Sequence, residues 1–144
     1  MNKVTLTIIT ILLATGLTLS ACASPTTSAS LSGTSWVLVS YGRAGSQTPA
    51  ASGIRTSLIF GADGQVNGSL GCNGFSGNYK VNNGKLDFGP LASTMMACPE
   101  PQMTQEGTAF QVLTGTVRFT LDGSTLTIFD TSGANALTLS RVVN

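Results

Sequence analysis

The chain has 144 residues, a formal net charge of +1, no histidine, and charged side chains at only 9% of its positions. After residue 21, six basic side chains balance six acidic ones. This balance excludes a basic nucleic-acid-binding face and an acidic tail. Without histidine, the classical Ser-His-Asp triad is also excluded. The length allows one small domain with a modest core, and a second domain does not fit.

The N-terminal segment has the organisation of a secretory signal. Lys3 precedes an apolar run that ends in Leu19-Ser20-Ala21-Cys22. This four-residue pattern resembles the processing site of bacterial lipoproteins, where the cysteine thiol receives a diacylglycerol. We therefore expect residues 1–21 to be a signal peptide and Cys22 to be the lipidated first residue. Two alternatives remain: a short transmembrane anchor, although a spanning helix needs about 20 apolar residues, or an ordinary secretory signal with an incidental cysteine.

The residues after the modified cysteine indicate a destination membrane and a flexible spacer. Ala23 is not aspartate, and by analogy with Gram-negative sorting this favours the outer membrane, facing the periplasm, if the host has one. Residues 22–32 are short and polar and have no apolar period, which predicts a flexible tether after the lipidated cysteine. The folded domain is expected to occupy residues 33–144.

Alternating apolar residues and turn signals predict eight short strands. Ala62-Asp63-Gly64 and Asn82-Asn83-Gly84 are hairpin signals of the strongest local kind. The first strand is apolar on both faces, with Val37 and Val39 alternating with Trp36 and Leu38. The predicted strands cover residues 35–41, 56–60, 65–70, 78–81, 85–88, 117–121, 126–128 and 137–139.

One helix is predicted, from Glu100 or Pro101 to Thr114. Its apolar stripe consists of Met103, Phe110 and Leu113. Together with the strands, this helix predicts an α+β fold that is mostly antiparallel β. We expect a curled seven- to eight-stranded sheet, or a partly open barrel with the one helix packing over its opening.

Glycine occurs at every third position from Gly68 to Gly77. The spacing does not match a phosphate-binding loop, and collagen would need many more triplets with abundant proline. We therefore interpret these glycines as sites of β-bulges, positive φ or close backbone approach.

Two cysteines remain if Cys22 carries lipid. Cys72 and Cys98 then form an even pair in an oxidising compartment, so a disulfide is the leading interpretation. Two buried free thiols are the alternative, because pairing geometry cannot be read from a sequence.

Several segments carry a resemblance to a known family. They are Gly71-Cys72-Asn73-Gly74-Phe75-Ser76-Gly77-Asn78-Tyr79, the segment from Gly89 to Pro99, Glu106, the opening Thr34-Ser35-Trp36, and the closing strand from Leu126 to Asp130. Together they resemble the META domain, also called the HslJ-like domain, from about Gly33 to Arg141. The resemblance implies a compact β-rich fold with a helix in an exported or envelope protein. Some members are heat-induced and linked to antibiotic tolerance, and the family brings no established reaction or catalytic residue. Cys72 and Cys98 occupy motif positions that carry cysteine in many relatives.

Enzymatic reactions that do not use a Ser-His-Asp triad also have little support in the sequence. No Ser-x-x-Lys pattern occurs. Asp87, Glu100 and Glu106 could supply a glycosidase-like acid and base, but such positions are more typical of solvated helix-start or turn residues. We therefore predict no enzyme, no catalytic residue and no cofactor.

Sulfur-containing side chains could also form a metal site. Met95, Met96, Met103 and Cys98 offer soft sulfur to Cu(I). The alternative is that flexible methionines fill the gap between helix and sheet. Because a disulfide would consume Cys98, we predict no metal ligand.

Two function classes remain. The first is a lipid-anchored, non-enzymatic envelope protein that binds or stabilises another envelope component under stress. The second is a barrel that binds a small apolar ligand or lipid in its interior. A hydrolase or a Cu(I)-binding protein is a distant alternative. The candidate contact residues, for which a core position is the favoured interpretation, are Trp36, Phe75, Tyr79, Met95 and Met96.

Overall fold

The structure, a computed structural model, describes residues 30–143. The signal segment 1–21, Cys22 and most of the predicted tether lie outside the described residues. The strands are β1 (Thr34–Arg43), β2 (Thr48–Pro49), β3 (Ser57–Phe60), β4 (Gln65–Ser69), β5 (Gly74–Asn82), β6 (Lys85–Phe88), β7 (Ala92–Ser93), β8 (Gly115–Asp122), β9 (Thr125–Phe129) and β10 (Asn135–Arg141), and the helix is α1 (Gln102–Val112). In this part of the chain, no helix has the length and apolar composition needed to cross a membrane.

Eight strands form a closed antiparallel barrel in the order β1-β3-β4-β5-β6-β8-β9-β10. The ladder between β10 and β1 runs over seven residue pairs, from Trp36↔Arg141 to Arg43↔Asn135, and closes the ring. The two-residue strands β2 and β7, which were not predicted, pair with the parts of β1 and β5 that β3 and β6 do not reach. The predicted eight-stranded fold with one packing helix is therefore confirmed, and its barrel is closed. Closure leaves no unpaired strand edge in the ring itself.

A β-bulge in β1 changes which of its residues point into the barrel. The register with β10 shifts between Leu38 and Ser40. Before the shift, Trp36 and Leu38 point into the barrel, and after it Tyr41 does. Strict alternation would have placed Ser40 inside instead. Val39 remains on the outer face.

Large apolar side chains fill the barrel interior. Those that are fully buried include Trp36, Leu58, Phe60, Leu86, Leu126, Ile128, Leu137 and Leu139. Leu31 is also fully buried, and its carbonyl accepts hydrogen bonds from the Thr34 amide at 3.2 Å and the Thr34 hydroxyl at 2.5 Å. The folded domain therefore begins two residues earlier than predicted, and Leu31 and Ser32 belong to it rather than to the tether.

The two ends of the barrel differ. At the hairpin end, β1 begins, β10 ends, and three short turns join β3 to β4, β5 to β6 and β8 to β9. At the helix end lie α1, the β4–β5 turn of residues 70–73, and the turn between β9 and β10. The chain therefore enters the barrel at the end opposite the helix.

The helix buries a different face from the predicted one. Met103 and Phe110 are only partly buried, while Leu113, just beyond the helix, is fully buried. The helical residues that are buried are Gln105, Glu106, Ala109 and Val112. The predicted stripe was wrong because two polar residues take core positions, each with hydrogen-bond partners that an apolar pattern does not reveal.

Asp130 organises the turn between β9 and β10. Burial acts to raise the pKa of this carboxyl, but hydrogen bonds from Ser132, Asn135 and the Ala134 amide outweigh it, so the pKa lies below its ordinary value of 3.8. A lowered native pKa stabilises the fold at pH values above that ordinary value. The contribution disappears as the pH falls through the native pKa.

We expect Asp130→Asn to be less stable than the wild type near neutral pH, with the difference shrinking as the pH falls below the ordinary carboxyl value of 3.8. Urea unfolding at a series of pH values measures this. Asp122→Asn, at the exposed β8–β9 turn, is the matched control. A constant gap between Asp130→Asn and the wild type at every pH would contradict the assignment.

A clamped methionine loop at the helix end of the barrel

Glycine allows the β4–β5 turn to lie directly against α1. A Cβ at Gly71 would come 2.6 Å from the Glu106 Cβ and 2.7 Å from the Gln102 carbonyl oxygen. A Cβ at Gly77 would meet the Pro90 carbonyl oxygen at 2.9 Å. Such distances exclude any side chain without movement of the backbone. At these positions the glycine-rich segment provides the close backbone approach that the sequence predicted.

Glu106 connects α1 to the β4–β5 turn from a buried position. Its Oε2 accepts hydrogen bonds from the amides of Cys72, at 2.7 Å, and Asn73. Its Oε1 accepts a hydrogen bond from the Asn73 side-chain amide at 2.6 Å. A carboxylate that only accepts hydrogen bonds suits three converging donors. The side chain is therefore fixed in place by the turn it supports.

Asn73 carries this connection outward to a loop that we call the methionine loop, residues 94–98. Its Oδ1 accepts hydrogen bonds from the Thr94 hydroxyl at 2.8 Å and the Met96 amide at 2.7 Å. Its Nδ2 also donates to the Met96 carbonyl at 3.2 Å. Both backbone groups of Met96 are thus held by one buried side chain.

A disulfide joins Cys72 to Cys98 and fixes the far end of the methionine loop. The predicted pairing is present in the structure. The two residues are separated by 26 positions, and closing a loop of this size is worth about 3.5 kcal/mol in the chain-entropy estimate. At the near end of the loop, the Thr94 amide donates to the Gly74 carbonyl at 3.0 Å.

Gln105 makes a second buried polar connection beside Glu106. Its Nε2 donates to the Leu70 carbonyl at 2.6 Å, and its Oε1 accepts from the Ala51 amide at 2.7 Å. The side chain is fully buried. It joins α1 to both the β4–β5 turn and the long loop that follows β1.

The clamped backbone presents two methionines to solvent. Met95 is 96% exposed and Met96 is 55% exposed. A depression of about 440 Å³ next to them is also lined by Met103 and Phe110. Phe110 lines a second depression of about 420 Å³ on its other side, which reaches Leu91. We call Met95, Met96, Met103 and Phe110 the methionine surface.

Three of the five candidate contact residues are core, which is the interpretation that the sequence favoured for them. Trp36 is fully buried and its indole nitrogen donates to the Thr34 hydroxyl at 2.7 Å. The buried Tyr79 donates its hydroxyl to the Gly61 carbonyl at 2.9 Å, and burial raises the pKa of that hydroxyl. Phe75 is buried with its ring edge-to-face on Phe110, at a centroid distance of 5.6 Å.

The Cu(I) site considered in the sequence depends on where the sulfur atoms lie. Cys98 is in the disulfide and has no free thiol. Within residues 30–143, no cluster of three or more His, Cys, Asp or Glu side chains could hold a metal ion. The alternative in which the methionines fill a gap between helix and sheet does not describe Met95 and Met96, because both are exposed.

Each candidate acid or base accepts a hydrogen bond within the fold. Asp87 accepts from the Thr116 hydroxyl at 2.9 Å, on the neighbouring strand β8. Glu100 is exposed and accepts from the Thr104 amide at 3.0 Å at the start of α1. Glu106 holds the β4–β5 turn. Glu100 has the helix-start role that the sequence suggested, whereas Asp87 lies within β6 instead of in a turn. Glu106 has a buried role that sequence reasoning missed.

The META domain family model matches residues 29–142, which include the whole barrel, the helix and the methionine loop. The chain belongs to the META domain family. Among curated proteins, no significant match is found.

Solved structures agree with the META fold. The chain is similar to a protein from Burkholderia xenovorans solved by NMR, with 27% identity, a TM-score of 0.66, and coverage of 79% of this chain and 85% of that one. A second NMR structure has 29% identity, a TM-score of 0.59, and coverage of 74% and 87%. A DUF4847 family protein from Bacteroides vulgatus ATCC 8482 has 13% identity, a TM-score of 0.55, and coverage of 74% and 90%. That last likeness concerns the fold alone.

We expect Glu106→Ala to lower the free energy of unfolding by roughly 2–4 kcal/mol, because it leaves buried donors at Cys72 and Asn73 without an acceptor. Glu106→Gln keeps one acceptor oxygen and should lose less. Glu100→Ala, an exposed carboxylate at the start of the same helix, is the matched control and should lose about 1 kcal/mol or less. Urea unfolding measures all three variants, and equal losses for Glu106→Ala and Glu100→Ala would contradict the assigned role.

Proposed function

We propose that this META domain protein is a lipid-anchored envelope protein that binds another envelope protein through its methionine surface and catalyses no reaction. The observation that carries the proposal is the contrast at Met96, whose backbone is held on both sides by buried Asn73 while its side chain faces solvent. A fixed backbone lowers the entropy lost on binding. Methionine side chains adapt their shape to an apolar partner.

The chemistry of the loop favours an apolar partner surface. From Gly89 to Pro99 the chain contains no charged residue. The depression beside the methionines is lined by Ala97 and Phe110 as well as by the thioethers. An exposed apolar patch on a small domain is a common sign of a protein contact site. The binding partner is therefore expected to contribute aliphatic or aromatic side chains at the centre of the contact.

The direction of the tether supports a partner away from the anchoring membrane. From Cys22 to Leu31 is about nine residues, which reach at most about 30 Å when fully extended. Leu31 lies next to the start of β1, at the hairpin end. The methionine surface lies at the helix end, roughly 20–30 Å away along the tilted strands. A lipid on Cys22 would thus hold the hairpin end near the membrane and leave the methionine surface free.

The alternative of a small apolar ligand inside the barrel has less support. Eight-stranded barrels have an interior just wide enough to be filled by side chains or to hold one small ligand. Here Trp36, Phe60 and Leu137 are among the fully buried side chains that occupy it. Because the resemblance implies that some members of the family are heat-induced, we propose that the contact stabilises an envelope protein under stress.

The anchor is tested by Cys22→Ala. We expect the wild type in the membrane fraction and the variant in the soluble fraction of the envelope, because the variant has no thiol for the lipid. The lipid itself is measured by the intact mass of the purified protein. Wild type without a lipid mass, or a variant that stays in the membrane fraction, would contradict the lipid anchor.

The contact surface is tested by a photo-crosslinking amino acid placed at position 95 in intact cells. We expect one protein to be crosslinked in high yield, and Met96→Gln in the same background to reduce that yield about tenfold, because a polar side chain enters the apolar contact. The same crosslinker at Val39, which is 48% exposed on the outer face of β1, is the matched control. Identical products from positions 95 and 39, or none from position 95, would contradict the proposal.

A further inference from the structure

We infer that Met95 and Met96 are a reversible oxidation site, at which peroxides convert the methionine surface from apolar to polar. The oxidation site is defined by the exposure and chemistry of the two methionines. Only its biological consequence, a weakened partner contact, rests on the proposed function. Methionine oxidation by peroxides turns an apolar thioether into a polar sulfoxide and depends on access to the sulfur.

The sulfur atoms of the domain differ sharply in accessibility. In residues 30–143, sulfur occurs in two cysteines and three methionines. Cys72 and Cys98 are already oxidised to a disulfide. Met103 is partly buried on α1, whereas Met95 and Met96 are 96% and 55% exposed. The two adjacent methionines are therefore the thioethers that a small oxidant reaches first.

The reaction needs only a peroxide as co-reactant. The thioether sulfur attacks one peroxide oxygen, the O–O bond breaks, and an S–O bond forms. The sulfur is oxidised by two electrons, and the remaining peroxide oxygen leaves as water after taking up the protons. A methionine sulfoxide reductase reverses the change: two thiols are oxidised to a disulfide, and the sulfoxide oxygen leaves as water.

The fold tolerates this change because the altered atoms point outward. The backbone of Met96 stays bonded to Asn73. The disulfide at Cys98 holds the end of the loop and is not altered by the peroxide reaction at the thioethers. Sulfoxidation in a protein core disrupts packing, but at this site it changes the polarity of a surface. The expected result is a folded domain with a weakened apolar contact.

The test treats the purified full chain with hydrogen peroxide and follows each methionine by peptide mass spectrometry. We expect Met95 and Met96 to oxidise at least fivefold faster than Met103, with the thermal unfolding midpoint of the domain unchanged. Binding of the apolar dye 1-anilinonaphthalene-8-sulfonate should fall at least threefold. Methionine sulfoxide reductase with a dithiol should restore both the masses and the dye signal.

The matched control is the double variant Met95→Leu with Met96→Leu, which keeps an apolar surface and has no thioether at either position. Its dye signal should survive peroxide. Faster oxidation of Met103, unfolding on oxidation, or an unchanged dye signal in fully oxidised wild type would overturn the inference. In cells with the crosslinking amino acid at position 95, Met96→Leu should keep the contact under peroxide, while the protein that retains Met96 should lose it. If neither protein makes that contact without peroxide, the proposed function fails, and the mass and dye results still decide the oxidation site.

Discussion

The buried hydrogen bonds between Glu106 and Asn73 are the interaction on which the helix end of this barrel depends. One carboxylate accepts from two successive backbone amides and from the Asn73 side chain. Asn73 in turn holds the backbone of the methionine loop. Removing either side chain would leave several buried polar groups without partners, which costs more than the bonds themselves contribute. The helix, the β4–β5 turn and the loop are thus a single unit.

Close packing of backbone makes that unit possible. Glu106 reaches the amides of the β4–β5 turn because Gly71 brings the turn into contact with α1. The disulfide from Cys72 then starts at the same turn and ends beyond the methionines. Hydrogen bonds and a covalent bond therefore restrain the same short loop from both sides. This arrangement fixes the position of side chains that themselves make few contacts with the domain.

The two ends of the barrel have different roles in the proposed function. The hairpin end contains short turns and the start of β1, which the tether would join to the membrane. The helix end contains the clamped loop with its exposed thioethers. Keeping an apolar pair exposed is unfavourable for solubility, so its presence on a restrained loop is best explained by a contact with another molecule. The same exposure is the basis of the proposed sensitivity to oxidants.

The sequence by itself determined the parts of this protein that depend on local pattern. Hairpin turns such as Asn82-Asn83-Gly84 and period-two alternation predicted all eight barrel strands, and the cysteine count favoured the pair that the structure joins. The Leu19-Ser20-Ala21-Cys22 pattern predicted an anchor, which remains a prediction. The buried face of α1 was not predictable in this way.

Only the tertiary structure decided which side chains are inside. Because of the bulge in β1, the next inward-pointing residue after Leu38 is Tyr41 instead of Ser40, and no local sequence signal marks the bulge. Glu106 reads as a solvated helix residue until a turn that begins some 35 residues earlier supplies its donors. Met95 and Met96 read as gap fillers until the Asn73 bonds turn their loop outward. Burial depends on partners that are distant in the chain, and those partners meet only when the barrel has closed.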